Sequence, residues 1–122
     1  MWGAQTRVFA FAAPVDMRKG FDGLSALVRE QLGRDPLSGD VFLFVSRNRI
    51  RAKVLHWDGT GVCVYAKRLE RGRFAKLWRD LGETEMALST TELQLFLEGS
   101  ELVGKIPLSP QRFDPRSVAI AA

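Results

Sequence analysis

The chain is poor in the residue types that build metal sites and nucleophilic sites. Among 122 residues it has one cysteine, Cys63, and one histidine, His56. A structural zinc site takes about four ligands, and an intramolecular disulfide needs two cysteines. The sequence therefore excludes the disulfide and argues against the zinc site. No nucleophile with a recognisable local signature accompanies His56, which we expect to be a strand residue with a satisfied ring.

Long apolar segments are also missing. No apolar run approaches the roughly 20 residues of a membrane span, and the first residues lack the charged, apolar and small-residue order of a secretion signal. The content of 46% apolar and 26% charged residues is typical of a folded domain. We therefore expect a cytoplasmic protein without a membrane partner, and a single cysteine fits the reducing conditions there.

Acidic residues are scarce in one stretch, residues 47–79. This stretch has ten basic residues and two acidic ones, Asp58 and Glu70, a local balance of +8. The whole chain carries +4, so the rest of it sums to −4 and the positive charge is concentrated. Such a distribution indicates a site for a polyanion. Solvated basic faces on an ordinary protein are the alternative interpretation.

The residue pattern of this stretch predicts a hairpin with basic ends. Apolar and basic residues alternate over 50–54, which puts Arg51 and Lys53 on one face of a strand. Glycines and an aspartate at 57–61 favour a tight reversal into a second strand over 62–69.

Ahead of the hairpin the pattern predicts a strand, a helix and another strand. The apolar segment 7–15 is compatible with a strand, and Asp16 is placed to cap a helix over 17–32 that stops at Gly33. Residues 41–45 are apolar on both faces, which is typical of a strand at the centre of a sheet.

After the hairpin the sequence predicts two further helices. Apolar residues at helical spacing over 73–81 predict a basic amphipathic helix, and residues 82–86 are polar and turn-like. Ser89, with Glu92 three residues later, forms the capping-box pattern that starts another helix.

These elements, in the order strand, helix, three strands, helix, helix, predict an α+β fold. We expect a single small domain over residues 1–106, with a mainly antiparallel sheet packed with helices. Three prolines within residues 107–122 argue for an irregular C-terminal tail.

Carboxylates that could hold Mg²⁺ for phosphoryl chemistry are Asp16, Asp22, Asp58 and Glu70. Each has a structural explanation. Asp16 is expected to cap a helix and Asp22 to lie in its first turn, where the dipole favours an acid. Asp58 makes a turn, and Glu70 has arginines to pair with. No nucleotide-binding fingerprint is present, so we expect neither enzymatic activity nor a cofactor.

The candidate contacts to a polyanion are the basic residues of the hairpin and its flanks, together with two at the predicted helix start. Those two stand beside Gly20 and Gly23, where exposed backbone amides help to hold a phosphate, although close packing is another reason for the glycines. The full set is Arg18, Lys19, Arg47, Arg49, Arg51, Lys53, Lys67, Arg68, Arg71 and Arg73. If about five of the eight from Arg47 onward contact phosphates, log affinity for duplex DNA should fall against log salt with a slope of roughly −4 to −5.

Several motifs, taken in order, resemble one known family. They are Asp16-Met17-Arg18-Lys19-Gly20-Phe21-Asp22-Gly23-Leu24, Arg34-Asp35-Pro36, Trp57-Asp58-Gly59, Ala66-Lys67-Arg68-Leu69-Glu70-Arg71-Gly72-Arg73-Phe74 and Leu97-Glu98-Gly99. The chain thereby resembles the small TnpB-like accessory protein, the second open reading frame, of the insertion sequence 66 family of bacterial transposable elements.

This resemblance implies a protein that assists transposition beside a separately encoded, much larger transposase, which carries the acidic catalytic triad. Combined with the charge pattern, it predicts a non-catalytic accessory protein that binds DNA, either transposon ends or duplex in general. Its expected partners are this DNA, the transposase and other proteins of the element.

Two rival hypotheses remain at this point. One is a protein-interaction module that recruits the transposase with little DNA contact, using an exposed Phe42, Phe44 or Trp57 as an anchor. The other is a small metal-dependent nuclease, in which Asp16 and Asp58 would converge with Asp22 around a cation.

Overall fold

A five-stranded mixed sheet forms the centre of the fold in the computed structural model, which describes residue 3 and residues 5–78 and 82–99. The elements are β1 (Val8–Phe11), α1 (Phe21–Gln31), β2 (Val41–Val45), β3 (Arg51–Trp57), β4 (Val62–Arg68), β5 (Glu85–Leu88) and α2 (Thr90–Leu97). The strand order is β4-β3-β2-β1-β5. Among the strands of the described residues, only the β1–β2 pairing is parallel, with α1 as the crossover that such a pair requires. The predicted α+β fold with a mainly antiparallel sheet is confirmed.

The middle strand β2 is buried along its whole length, as its two apolar faces predict. Phe42 and Phe44 point to the α1 side of the sheet, where they pack with Leu24, Val28 and Leu55. The other face carries the α2-side core, made of Val8, Ala10, Val41, Leu43, Val45, Ala52, Val54, Phe74, Ala75, Leu77, Leu88, Leu93 and Phe96. The sheet is therefore covered on both faces.

Helix α1 is shorter than the predicted helix over 17–32, and the predicted cap is wrong. The N-cap position is Gly20, which makes no side-chain hydrogen bond, and Asp16 lies four residues earlier. Its carboxylate accepts the backbone N–H of Arg18 at 2.9 Å. This local turn competes with helix formation and delays its start. Gly33 follows the helix end with φ 63°, as predicted.

The predicted helix over 73–81 is also wrong for the six residues that the structure describes, 73–78, which have no regular secondary structure. Phe74 and Leu77 are nevertheless buried, as their spacing suggested. The Phe74 N–H donates to the Arg49 carbonyl at 2.6 Å, and its ring stacks on Phe96 at 4.9 Å between centroids. Contacts with the rest of the fold thus override the local helical pattern.

Strand β5 forms where the sequence suggested a turn over 82–86, which is a correction to that prediction. It pairs antiparallel with β1, and Glu85 accepts two hydrogen bonds from the Arg34 guanidinium at 2.8 and 3.1 Å. The helix start after it is confirmed, because Ser89 and Glu92 form both hydrogen bonds of a capping box. The predicted tail, residues 107–122, lies outside the described residues.

Candidate nucleic-acid interface

The β3–β4 hairpin places two arginines directly opposite each other. Arg51 and Arg68 are cross-strand partners, on the α1 side of the sheet. The neighbouring pair is hydrogen-bonded, since the Leu69 N–H donates to the Ile50 carbonyl at 2.8 Å. The arginine pair is therefore a non-hydrogen-bonded one, in which side chains stand closest together. Like charges in this position are destabilising unless an anion lies between them.

The turn over 16–19 is attached to the same end of the hairpin. The Lys53 ammonium donates to the backbone carbonyls of Met17 and Lys19, both at 2.8 Å. A half-buried lysine of β3 thus holds the segment that leads into α1 above the basic face of the strand. This contact brings Arg18 close to Arg51, although 33 positions separate them in the sequence.

Two adjoining depressions, of about 430 and about 520 Å³, lie at this junction and share Met17 and Arg51. We call them together the basic cleft. Their lining residues are Val15, Asp16, Met17, Arg18, Ser46, Arg47, Asn48, Arg51, Ala52, Lys53, Ala66, Lys67, Arg68 and Glu70. Basic side chains outnumber acidic ones six to two in this lining. The basic cleft is therefore strongly electropositive.

Both carboxylates of the basic cleft are paired with arginines. Arg18 Nη2 lies 2.6 Å from Asp16 Oδ2, and Arg68 Nη2 lies 3.3 Å from Glu70 Oε1. The side-chain hydrogen bonds from Arg18 are the main cause that lowers the pKa of Asp16 to about 2. The same hydrogen bond raises the pKa of Arg18. At neutral pH this pair is therefore fully charged.

The two arginines in the turn between β2 and β3, Arg47 and Arg49, have different contacts. Ser46 donates to Asn48 Oδ1 at 2.7 Å, and Arg49 adopts φ 59°, a conformation unusual for a residue with a side chain. Arg47 is exposed and lines the basic cleft. Arg49 instead donates from Nη1 to the Phe74 carbonyl at 3.4 Å, so its guanidinium secures the segment after β4.

Of the ten predicted contact residues, the structure brings five together around the basic cleft. They are Arg18, Arg47, Arg51, Lys53 and Arg68. Four of them are arginines that can face a ligand, and Lys53 supports the cleft through its backbone contacts. Lys67 also borders the basic cleft, but its ammonium donates to the Leu97 carbonyl at 2.6 Å, at the end of α2. Lys19, Arg71 and Arg73 are exposed and do not line the basic cleft. That these residues contact nucleic acid stays a prediction.

Sequence reasoning missed the apolar and neutral part of the lining. Met17 connects the two depressions, and Ser46 and Asn48 shape the wall beside Arg47. The signal for Met17 was its place between Asp16 and Arg18. Nothing in the sequence marked the crossover that seats this segment on β3.

The anchors proposed for a protein-interaction module are not available as expected. Phe42 and Phe44 are completely buried in the core, and Trp57 is half-buried. Asp58 forms its turn, as predicted, and hydrogen bonds, first of all from the Thr60 and Gly61 backbone N–H groups, lower its pKa to about 2. Within the described ranges, no three His, Cys, Asp or Glu side chains are grouped to share a metal ion.

The fold and the basic cleft define a small α+β protein with an electropositive cleft at one end of a β-hairpin. The chain belongs to the IS66 Orf2-like family of accessory proteins of transposition, because the family model described as "IS66 Orf2 like protein" matches residues 6–105. The family suggested by the sequence motifs is therefore confirmed.

Two relatives come from Sinorhizobium fredii (strain NBRC 101917 / NGR234). The chain is 38% identical over 97 residues to "Uncharacterized protein y4hO". These aligned residues cover 80% of this chain and 83% of that protein. The chain is 34% identical over 93 residues to "Uncharacterized protein y4jC", spanning 76% and 78%. No solved structure shows significant similarity. Among the described residues, no helix has the length and apolarity needed to cross a membrane.

Proposed function

We propose that this protein assists IS66-type transposition by binding the phosphate backbone of the element's DNA in the basic cleft. The partners are DNA and the separately encoded transposase, and the place of action is the cytoplasm, where that DNA lies. The protein itself catalyses no reaction.

The observation that carries the proposal is the opposed pair Arg51 and Arg68. Two like charges in a non-hydrogen-bonded cross-strand pair repel each other at close range, and Glu70 meets only one of them. Arg18 and Arg47 add two further guanidinium groups around the same depressions. Guanidinium groups match phosphate oxygens in a two-pronged geometry, so a phosphodiester backbone relieves this repulsion.

The absence of a catalytic role is supported by what the acidic residues do. Asp16 is bonded to Arg18, and Asp58 is bonded to the backbone of its own turn. Neither carboxylate is placed with others to hold a metal in the described part of the chain. Phosphoryl transfer in this system is therefore assigned to the transposase.

Fluorescence anisotropy with a labelled 20-base-pair duplex tests the binding proposal. Arg51→Ala and Arg68→Ala should each weaken binding by about tenfold, since each removes a charge-assisted contact. Arg29→Ala is the matched control, because Arg29 is exposed in the last turn of α1 and does not line the basic cleft. Equal losses for Arg29→Ala and Arg51→Ala would mean that net charge alone governs binding.

The same preparations test the absence of catalysis. Wild-type protein incubated with Mg²⁺ or Mn²⁺ and a supercoiled plasmid should leave the plasmid intact. Cleavage that disappears in a folded Asp16→Ala or Asp58→Ala variant would overturn the non-catalytic assignment. Absence of any binding at 50 mM salt would overturn the proposed function as a whole.

A further inference from the structure

The elements of this fold that could enter a DNA groove carry little positive charge. A major groove admits an α-helix or a two-stranded ribbon. Helix α2 has no basic residue within Thr90–Leu97, and α1 has Arg29 against Asp22 and Glu30. The tip of the β3–β4 hairpin carries Asp58, with no basic residue over 58–61. None of these elements presents a basic edge to a duplex.

The positive charge lies instead in a concave site. The lining of the basic cleft combines its arginines with the apolar side chains of Met17 and Ala66. Its two depressions, of about 430 and about 520 Å³, are broad and open to solvent. A flexible strand can lead its phosphates and a base into such a site, whereas a rigid double helix keeps its bases stacked inside.

An exposed aromatic residue, Phe21, closely follows Arg18 of the basic cleft in the sequence. Phe21 is 55% exposed, the highest value among the large apolar residues described. It is three residues from Arg18, so their Cα atoms are at most about 11 Å apart. Phe21 shares its helix face with Leu24 and Val28, which are buried against the sheet. Phe21 thus stands at the start of the apolar stripe of α1, yet more than half of its surface is exposed.

These features, taken together with the proposed function on which the inference rests, point to one class of ligand. We infer that the basic cleft binds an unpaired DNA strand, with one base stacked on Phe21 and the flanking phosphates on Arg18, Arg51 and Arg68. Grooves for single strands combine a positively charged track with aromatic rings in this way, and stacking on a ring is tolerant of base identity. Binding should therefore prefer unpaired DNA and show little sequence preference.

The test compares three labelled ligands by fluorescence anisotropy at one salt concentration. They are a 20-nucleotide single strand, its duplex, and a 20-unit oligomer of abasic sites, which keeps the phosphates and lacks the bases. Wild-type protein should bind the single strand most tightly. Phe21→Ala should weaken single-strand binding by about 5- to 150-fold, the range found when a stacking ring is removed.

The control variants separate stacking from general effects. Phe21→Trp should keep single-strand affinity, because an indole also stacks. Tyr65→Ala should leave it unchanged, since Tyr65 is 41% exposed but sits on the opposite face of β4 from Arg68. Phe21→Ala should not alter affinity for the duplex or for the abasic oligomer. Circular dichroism melting checks that every variant is folded. Because Phe21 is exposed, its substitution should leave the fold intact.

Failure of this inference differs from failure of the proposed function. Equal affinity for single strand and duplex, both dependent on Arg51 and indifferent to Phe21→Ala, overturns the single-strand inference and leaves phosphate binding in place. An equal loss for the abasic oligomer in Phe21→Ala also overturns it, because stacking would not be involved. If wild-type protein binds none of the three ligands at 50 mM salt, both proposals fall.

Discussion

The salt dependence of binding tests how many arginines of the basic cleft contact phosphates. The structure leaves four guanidinium groups for this purpose, those of Arg18, Arg47, Arg51 and Arg68. The ammonium group of Lys53 is not counted, because it is already bonded to two backbone carbonyls. Each neutralised phosphate of a single strand contributes about −0.7 to the slope of log affinity against log salt concentration. Four contacts thus predict a slope of about −2.8, and on duplex DNA about −3.6.

A fourfold rise in salt, from 50 to 200 mM, should then weaken single-strand binding by about 50-fold. Arg51→Ala removes one contact, which should flatten the slope to about −2.1 and reduce the loss to about 18-fold. Anisotropy titrations at five salt concentrations resolve this difference. Arg29→Ala should retain the wild-type slope, because it removes the same charge from a distant place on α1.

Two results would refute this reasoning. A slope near zero would mean that phosphates are not contacted. A slope flattened equally by Arg29→Ala and Arg51→Ala would mean that the protein binds through diffuse charge and not through the basic cleft. The predicted duplex slope is smaller than the −4 to −5 expected from the sequence, because the structure commits several candidate side chains to internal hydrogen bonds.

Three further predictions concern the scaffold of the basic cleft. Lys53→Met keeps an unbranched side chain, one atom shorter, but removes the donor to two carbonyls, which should destabilise the fold by about 1–3 kcal/mol in urea unfolding. Ser89→Ala breaks the capping box of α2, and a loss of about 0.5–2 kcal/mol is expected in the same assay. Asp16 should titrate with a pKa of about 2 in carbon-detected NMR, and Arg18→Ala should return this pKa toward 3.8. Because folding lowers this pKa, the Asp16 pair stabilises the protein above pH 3.8, and its contribution disappears as the pH falls from 3.8 to about 2.

The parts of the fold that the sequence predicts well are determined by residues close to one another in the sequence. Strand β2 is marked by five consecutive apolar residues, and its bounds were predicted without error. The hairpin follows from alternation and from the glycines around Asp58, whose carboxylate accepts three hydrogen bonds within its own turn. The start of α2 follows from Ser89 and Glu92, three residues apart. In each case the deciding hydrogen bonds or side-chain pattern are local.

The errors arise where distant residues decide the structure. The sequence predicts a helix at Phe74, but its N–H donates to the Arg49 carbonyl and its ring stacks on that of Phe96. The residues of β5 are polar and turn-like at their start, and they become a strand because β1 offers an open edge. The sequence predicts Asp16 as a helix cap, but its carboxylate pairs with Arg18 instead. Such contacts override local propensity and are not visible in a window of ten residues.

The candidate site was predictable in composition and only partly in geometry. Strand alternation already separates Lys67 from Arg68, because adjacent residues of a strand point to opposite faces. The register that sets Arg68 against Arg51 follows from the position of the hairpin turn. The sequence places Arg18 with these residues only through the glycines at the helix start, and its actual position depends on how the parallel β1–α1–β2 unit packs on β3.

The four arginines of the basic cleft differ in whether they pair with a carboxylate, that of Asp16 or that of Glu70. Arg18 and Arg68 each hold a carboxylate, whereas the guanidinium groups of Arg47 and Arg51 make no hydrogen bond or ion pair to any residue that the structure describes. Both ion pairs are solvent-exposed, and such pairs stabilise a fold little, so a phosphate can replace either carboxylate at small cost. On the proposed function, the two carboxylates occupy in the free protein the places that two phosphates occupy in the complex. In the free protein they lower the repulsion among the four arginines, which accounts for two acids in a basic cleft.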